Sequence, residues 1–167
     1  MPIPDRPVSG ELIEAEWGQA VHDDTFAPKG CRVSGSSAVN ISTTYAGLPM
    51  DTGDDDPGGW LDGANDRIEV PTGADGLYTL NMQYRTTRGT DGQTVLCSYA
   101  INGTPTAAAV VNCLTGQSPQ VNLNGVETLS AGDIITVQGR KLASGGATPT
   151  LQLMSLTIVR IGQELGA

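Results

Sequence analysis

Hydrophobic residues recur at every second position through most of the chain and at helical spacing in one stretch near its start. Tyr78, Leu80, Met82 and Tyr84 alternate with polar neighbours, as do Val95, Cys97, Tyr99 and Ile101, and Ile68 with Val70 forms a shorter pair of the same kind. A period of two marks a strand buried on one face. Val39, Ile41, Thr43 and Tyr45 read as another such strand, Val121 and Leu123 mark a further one, and Ile134 to Val137 another. Turn signals separate the runs: Pro71 with Gly73, Asn102-Gly103 and Gly132-Asp133 each fall where a tight connection is needed. Eight or more strands without a second helix predict an all-β fold, an antiparallel two-sheet sandwich.

The final run, Leu151 to Ile161, changes parity along its length. Leu151 and Leu153 share one face, whereas Leu156 and Ile158, and then Val159 and Ile161, do not keep it. Either a bulge shifts the register or both faces are covered. A strand buried in the middle of a sheet fits the second option, and it would make this segment structurally essential.

The start of the chain follows another rhythm. Residues 1–8 hold three prolines and read as an extended arm. Ser9 then offers an N-cap oxygen, and Glu11, Glu14 and Glu16 suit the positive end of a helix dipole. Leu12, Ile13, Trp17, Ala20 and Val21 gather on one side of a helix of about three turns, which Pro28 and Gly30 close. So short a helix is marginal alone and needs a surface for its apolar stripe: its own domain, a neighbouring subunit or a larger host structure. These five residues are therefore the expected attachment or interface positions, and Trp17 in particular reads as an interface contact. The chain divides into an arm and helix at 1–30 and a β domain at 31–167.

Composition narrows the function. The 167 residues fit one domain; 38% are hydrophobic and only 16% charged, with 22 Gly and 10 Pro, as expected of short strands and tight turns. A net charge of −9 disfavours phosphate backbones and anionic membranes, so neither nucleic acid nor membrane is an expected partner. The opening lacks a basic segment followed by an apolar core, and no run approaches the roughly 18 apolar residues of a membrane span, so a soluble product is expected. Cys31, Cys97 and Cys113 include no C-x-x-C spacing. A hairpin turning at Asn102-Gly103 sets Cys97 opposite about residue 108 and leaves Cys113 beyond disulfide reach, so buried, reduced thiols are expected.

Candidates for chemistry are few. His22 is the only histidine; beside Asp23 and Asp24 at the end of the predicted helix it complements the dipole and the acids. Gly-x-Ser-x-Gly elbows, phosphate-cradling glycine loops and dinucleotide fingerprints are all missing, so an enzyme is not expected. Asp51, Asp54, Asp55, Asp56, Asp62 and Asp66 crowd one Gly-rich stretch. Two readings stand: a solvated acidic turn whose carboxylates cap local backbone, or a calcium site at Asp54, Asp55 and Asp56. No other cofactor is implied. Trp60 reads as a core residue closing one end of the sandwich, with an intersubunit contact as the alternative.

Three segments, Ile68-x-Val70-Pro71-x-Gly73-x-x-Gly76-x-Tyr78-x-Leu80, Tyr99-x-Ile101-Asn102-Gly103 and Leu129-x-x-Gly132-Asp133-x-Ile135-x-Val137, resemble the C1q/tumour-necrosis-factor-like jelly roll. They occur in that family's order, and the resemblance covers approximately residues 33–162. The chain has no collagen-like tract, and its aromatics are diluted to one Phe, four Tyr and two Trp, which sets it apart from eukaryotic signalling members. Pro7-Val8-Ser9-Gly10-Glu11 leading to Trp17-Gly18-Gln19-Ala20-Val21 resembles the openings of small virion proteins of tailed phages infecting actinobacteria. Together the resemblances imply a homotrimer made in the host cytoplasm and placed on the virion surface as a capsid decoration or head-fibre protein. Its partners would be the major capsid protein or tail proteins. The alternative they imply is a minor tail or adhesion module that binds host saccharide through loops 51–66, 86–94 or 143–149.

Overall fold

The alternating segments assemble into two six-stranded antiparallel sheets packed face to face. The computed structural model describes residues 30–87, 93–113, 118–143 and 148–162. The first sheet contains β1 (Gly30–Ser34), β2 (Val39–Asn40), β4 (Thr52–Asp55), β7 (Gly76–Thr87), β10 (Gln120–Leu129) and β12 (Thr150–Gly162). Its order is β10-β7-β12-β1-β4, with β2 added beside β12. The second contains β3 (Ala46–Gly47), β5 (Leu61–Asp62), β6 (Arg67–Glu69), β8 (Gln93–Ile101), β9 (Thr104–Cys113) and β11 (Ile134–Lys141). Its order is β5-β6-β11-β8-β9, with β3 beside β11. No helix occurs among the described residues; the predicted helix, with Leu12, Ile13, Trp17, Ala20, Val21 and His22, lies outside them.

Alternation decides what goes inside. Tyr78, Leu80, Met82 and Tyr84 of β7 face Val95, Cys97 and Tyr99 of β8 and Ile135 and Val137 of β11, all buried. Each such side chain contributes about 1.5–3 kcal/mol on leaving water. The buried tyrosines also place their hydroxyls: Tyr84 donates to the Ser98 carbonyl at 3.0 Å, Tyr78 to the Ala74 carbonyl, and Tyr99 to the Glu127 carboxylate. Trp60 is core, as expected, and caps one end of the sandwich edge-on to Tyr78, ring centroids 5.5 Å apart. Cys31 and Cys97 are buried thiols outside any disulfide, whereas the Cys113 side chain lies outside the description.

The turn motifs meet at the same end. Asn102 (φ 50°) and Gly103 (φ 79°) take the left-handed backbone of a tight hairpin turn. Asp133 joins this turn to its own: its carboxylate accepts the Ser130 N–H at 2.8 Å and the Asn102 side-chain amide at 2.8 Å. The Asn102 amide oxygen accepts the Ile134 N–H at 2.9 Å, and the Asp133 carbonyl accepts the Val70 N–H at 2.9 Å. A Gly-Asp pair before a hydrophobic strand is thus a clamp on three connections.

Three expectations are corrected. The run Val39 to Tyr45 is not one strand: β2 pairs with β12 in the first sheet and β3 with β11 in the second, so the chain crosses between them. Ser42 and Thr44 bond each other's hydroxyls at 2.8 Å, and the Thr44 N–H donates to Ser42 Oγ at 3.2 Å, diverting the backbone from a ladder. Second, the parity change in β12 is a bulge, with register shifts at Leu153/Ser155 and Arg160/Gly162. The strand does lie mid-sheet, between β7 and β1, but Val159 and Ile161 are 46% and 54% exposed, so both faces are not covered. Third, Cys97 stands opposite Ala109 rather than residue 108, because a bulge shifts β8 against β9 at Tyr99/Ala100.

Candidate functional site

The sandwich sorts its charge by flank. On one side lie the edge strands β4 and β5 and their connections, carrying Asp51, Asp54, Asp55, Asp56, Asp62 and Glu69. On the opposite side the edges are β9 and β10. The β9 sequence, TPTAAAVVNC, has no acid or base, and the single acid of β10, Glu127, is turned inward to the Tyr99 hydroxyl. Gly125 makes room for that hydroxyl, since a Cβ there would run into it.

The outer face of the first sheet continues the uncharged flank. The registers align Asn122 with Gln83, Asn124 with Asn81, Val126 with Thr79 and Thr128 with Leu77 across β10 and β7, and then Asn81 with Thr157 and Thr79 with Val159 across β7 and β12. No carboxylate occurs at the outward positions of these three strands, and Arg85 is their only charge. Toward the Gly76 end the amides give way to Leu77, Val126, Val159 and Ile161, between 36% and 58% exposed and four of the seven large hydrophobics exposed among the described residues. Depletion of charge with apolar side chains left in water is the composition of a buried contact surface. The signal was present in sequence as the identity of the polar half of each alternation: Asn, Gln and Thr instead of Lys, Glu and Asp.

Half of the acidic stretch caps local backbone, at Asp51, Asp56 and Asp66. Asp56 accepts the Trp60 N–H at 2.7 Å and the Leu61 N–H at 3.0 Å, fixing the entry to β5. Asp54 accepts the Ser34 hydroxyl at 3.3 Å and stands 3.8 Å from the Arg32 guanidinium, while Asp55 is an exposed position of β4. Asp54, Asp55 and Asp56 are therefore not brought to one point, and among the described residues no group of three His, Cys, Asp or Glu is placed to hold a metal ion. Asp51 is held below the usual carboxylate range by the Ser36 hydroxyl and N–H, and Asp62 by Asn65 and then Arg67. Asp66, at φ 51°, accepts the Met50 N–H at 3.1 Å. Burial, with the charges of Asp56 and Asp55 behind it, pushes the Cys31 thiol up to about 12, which keeps it unreactive.

One cavity of about 490 Å³ opens beside this flank, lined by Trp60, Asp62, Glu69, Pro71 and Gly132 among others. Arg67 binds both of its carboxylates, at 2.9 Å to Asp62 and 3.4 Å to Glu69. No helix among the described residues is long and apolar enough to cross a membrane.

Two packed antiparallel sheets connected in this order define a jelly-roll β-sandwich. Its type is C1q/TNF-like, as solved structures show. The globular domain of zebrafish complement 1qA protein aligns with TM-score 0.57 at 10% identity, over 81% of this chain and 98% of that one. Murine APRIL aligns with TM-score 0.57 at 17% identity, over 79% and 98%. Eiger TNF from S. frugiperda gives 0.52 at 12%, over 83% and 96%. At these identities the likeness is one of fold. No protein-family model and no curated protein matches the chain.

Proposed function

We propose that the chain is a non-enzymatic structural subunit that closes into a homotrimer and decorates the outside of a tailed-phage particle, held there through residues 1–30. The observation that carries the reading is the charge sorting. The chain carries a net charge of −9, and among the described residues the β9/β10 flank and the adjoining amide-bearing part of the outer face of the first sheet, around Asn81, Gln83, Asn122 and Asn124, present no outward acid and so oppose self-association least. Flank against face is a heterologous contact, which closes into a ring when the rotation allows. Three copies match the threefold arrangement implied by the C1q/TNF-like resemblance, and the acidic β4/β5 flanks then point away from the axis. The particle assignment, with a major capsid or tail protein as partner, is supported by the likeness of Pro7 to Val21 to phage virion openings.

Sedimentation of the purified chain tests the assembly. A three-chain mass is expected, falling to a monomer when Asn81→Glu and Asn124→Glu place acids on the sheet face; a monomeric wild type at micromolar concentration overturns the reading. The attachment role is tested by deleting residues 1–29, which leaves a folded trimer that no longer binds particles. A truncated form that still decorates them refutes it. The adhesion alternative draws on the cavity beside Trp60, whose paired carboxylates suit hydroxyl donors. Its test is a glycan screen, read out by loss of binding in Glu69→Gln.

A further inference from the structure

The apolar corner of the first sheet and the start of its first strand are adjacent. Gly30 stands opposite Val159 in the β1–β12 ladder, and Val159 stands opposite Thr79, itself opposite Val126. The backbone at Gly30 lies so close to β12 that a Cβ would run into the Ile158 carbonyl oxygen. Whatever precedes residue 30 therefore leaves the domain at the edge of the Leu77, Val126, Val159 and Ile161 patch.

The preceding sequence carries a matching surface. Leu12, Ile13, Trp17, Ala20 and Val21 recur at helical spacing, and eight residues separate Val21 from Gly30. The nine Cα-to-Cα steps from Val21 to Gly30 reach up to ~30 Å, whereas the patch spans three strands, about 10 Å across. A helix of three turns is ~16 Å long and ~10 Å wide, the size of that corner. Charge selects the same surface. Between Pro7 and Pro28 the chain holds Glu11, Glu14, Glu16, Asp23 and Asp24 and no Lys or Arg. The β4/β5 flank repels such a segment; the outer sheet face presents no carboxylate on β10, β7 or β12, and Arg32, opposite Thr157, stands at the outward pair next to Gly30 and Val159.

We propose that residues 12–21 seat their apolar stripe on the Leu77, Val126, Val159 and Ile161 patch of their own chain. On the reading that this segment grips the particle, the free protein carries its attachment device covered, and docking on a virion exchanges one apolar surface for another. The contact itself does not depend on that reading, because it is present without particles.

Tryptophan fluorescence tests it in the purified full-length chain. Trp60→Phe leaves Trp17 as the sole tryptophan. Emission shifted to the blue and weak quenching by acrylamide are expected, with Val159→Asp and Ile161→Asp restoring a water-like spectrum and raising quenching several-fold. Both substitutions fall at positions already about half exposed, so the sandwich persists, which near-ultraviolet dichroism checks. If Trp60→Phe does not fold, fluorine resonances of 5-fluorotryptophan in the otherwise wild-type chain report the same change, with Trp17→Phe assigning the signals. A Trp17 as accessible as free tryptophan in the wild-type background, or one indifferent to both aspartates, overturns the proposal. Protection that disappears on dilution into monomers overturns it too, since the patch then belongs to a neighbouring copy.

Discussion

Removing the Asp133 carboxylate should loosen two connections at once, because it is the common acceptor of the Ser130 N–H and the Asn102 amide, both at 2.8 Å. Hydrogen bonds to a charged group contribute about 1.5–3 kcal/mol when buried, and this group is half-buried, so roughly 1 kcal/mol each is appropriate. Asp133→Ala is therefore expected to destabilise by about 2 kcal/mol, a loss of ~4–8 °C in melting temperature for a domain of this size. Asp133→Asn keeps one acceptor and should lose about half as much. Asn102→Gly provides the second edge of a double-mutant cycle, since glycine accepts the φ of 50° without strain and removes only the side chain. The coupling between the two positions should be about 1 kcal/mol by urea denaturation. A loss under ~0.5 kcal/mol for Asp133→Ala, or additive single effects, would mean that the clamp described at this end of the sandwich holds nothing.

Three further outcomes follow from the same fold. Gly125→Ala forces a methyl against the Tyr99 hydroxyl and should lower stability by about 1–3 kcal/mol, with Tyr99→Phe in the same chain recovering part of the loss; thermal melts of the four proteins decide it. Stability should fall on the alkaline side: the Cys31 thiol ionises near 9 when unfolded and at about 12 in the fold, so its contribution is complete below pH 9 and drains away as pH rises toward 12, with a loss on the order of 1 kcal/mol by pH 10. Burial raises Tyr78, Tyr84 and Tyr99 as well and steepens that limb, whereas Cys31→Ala should flatten its first part; a pH series of urea melts showing no loss between 9 and 10.5 contradicts this. Calcium at millimolar concentration, and its removal with EDTA, should leave the melting temperature unchanged; a shift of several degrees would support the calcium reading of Asp54, Asp55 and Asp56.

How much could be read from the residues depended on which physical rule governed each segment. The β7 and β8 strands were legible because a half-buried strand imposes a strict period of two, and the turns because Asn102, Gly73 and Gly132 adopt backbone angles that few residues tolerate. The edge strand β4 was not legible: Thr-Gly-Asp-Asp has no buried position and reads as loop, its pairing with β1 being set by the tertiary fold. Val39 to Tyr45 carried an alternation that its own hydroxyl bonds at Ser42 and Thr44 override. The bulges in β12 and β8 left a trace only in the first case, as a break in parity. The candidate face was visible as a choice of amide over charge on the outward positions, a signal that acquires meaning once Asn81, Asn124 and Thr157 are known to be neighbours.

The central place of β12 governs the order in which the molecule can be made. β1 and β7 each hydrogen-bond to it, so one edge of residues 30–33 waits for partners at 156–159. During translation β1 can pair with β4 and β7 with β10, but these two halves of the first sheet stay apart until β12 joins them. Such distant pairing is slow, and the apolar halves of β1, β7 and β10 stay open to wrong partners throughout. Amide-rich outer positions keep those waiting strands in solution without adding like charges that would oppose their eventual neighbours.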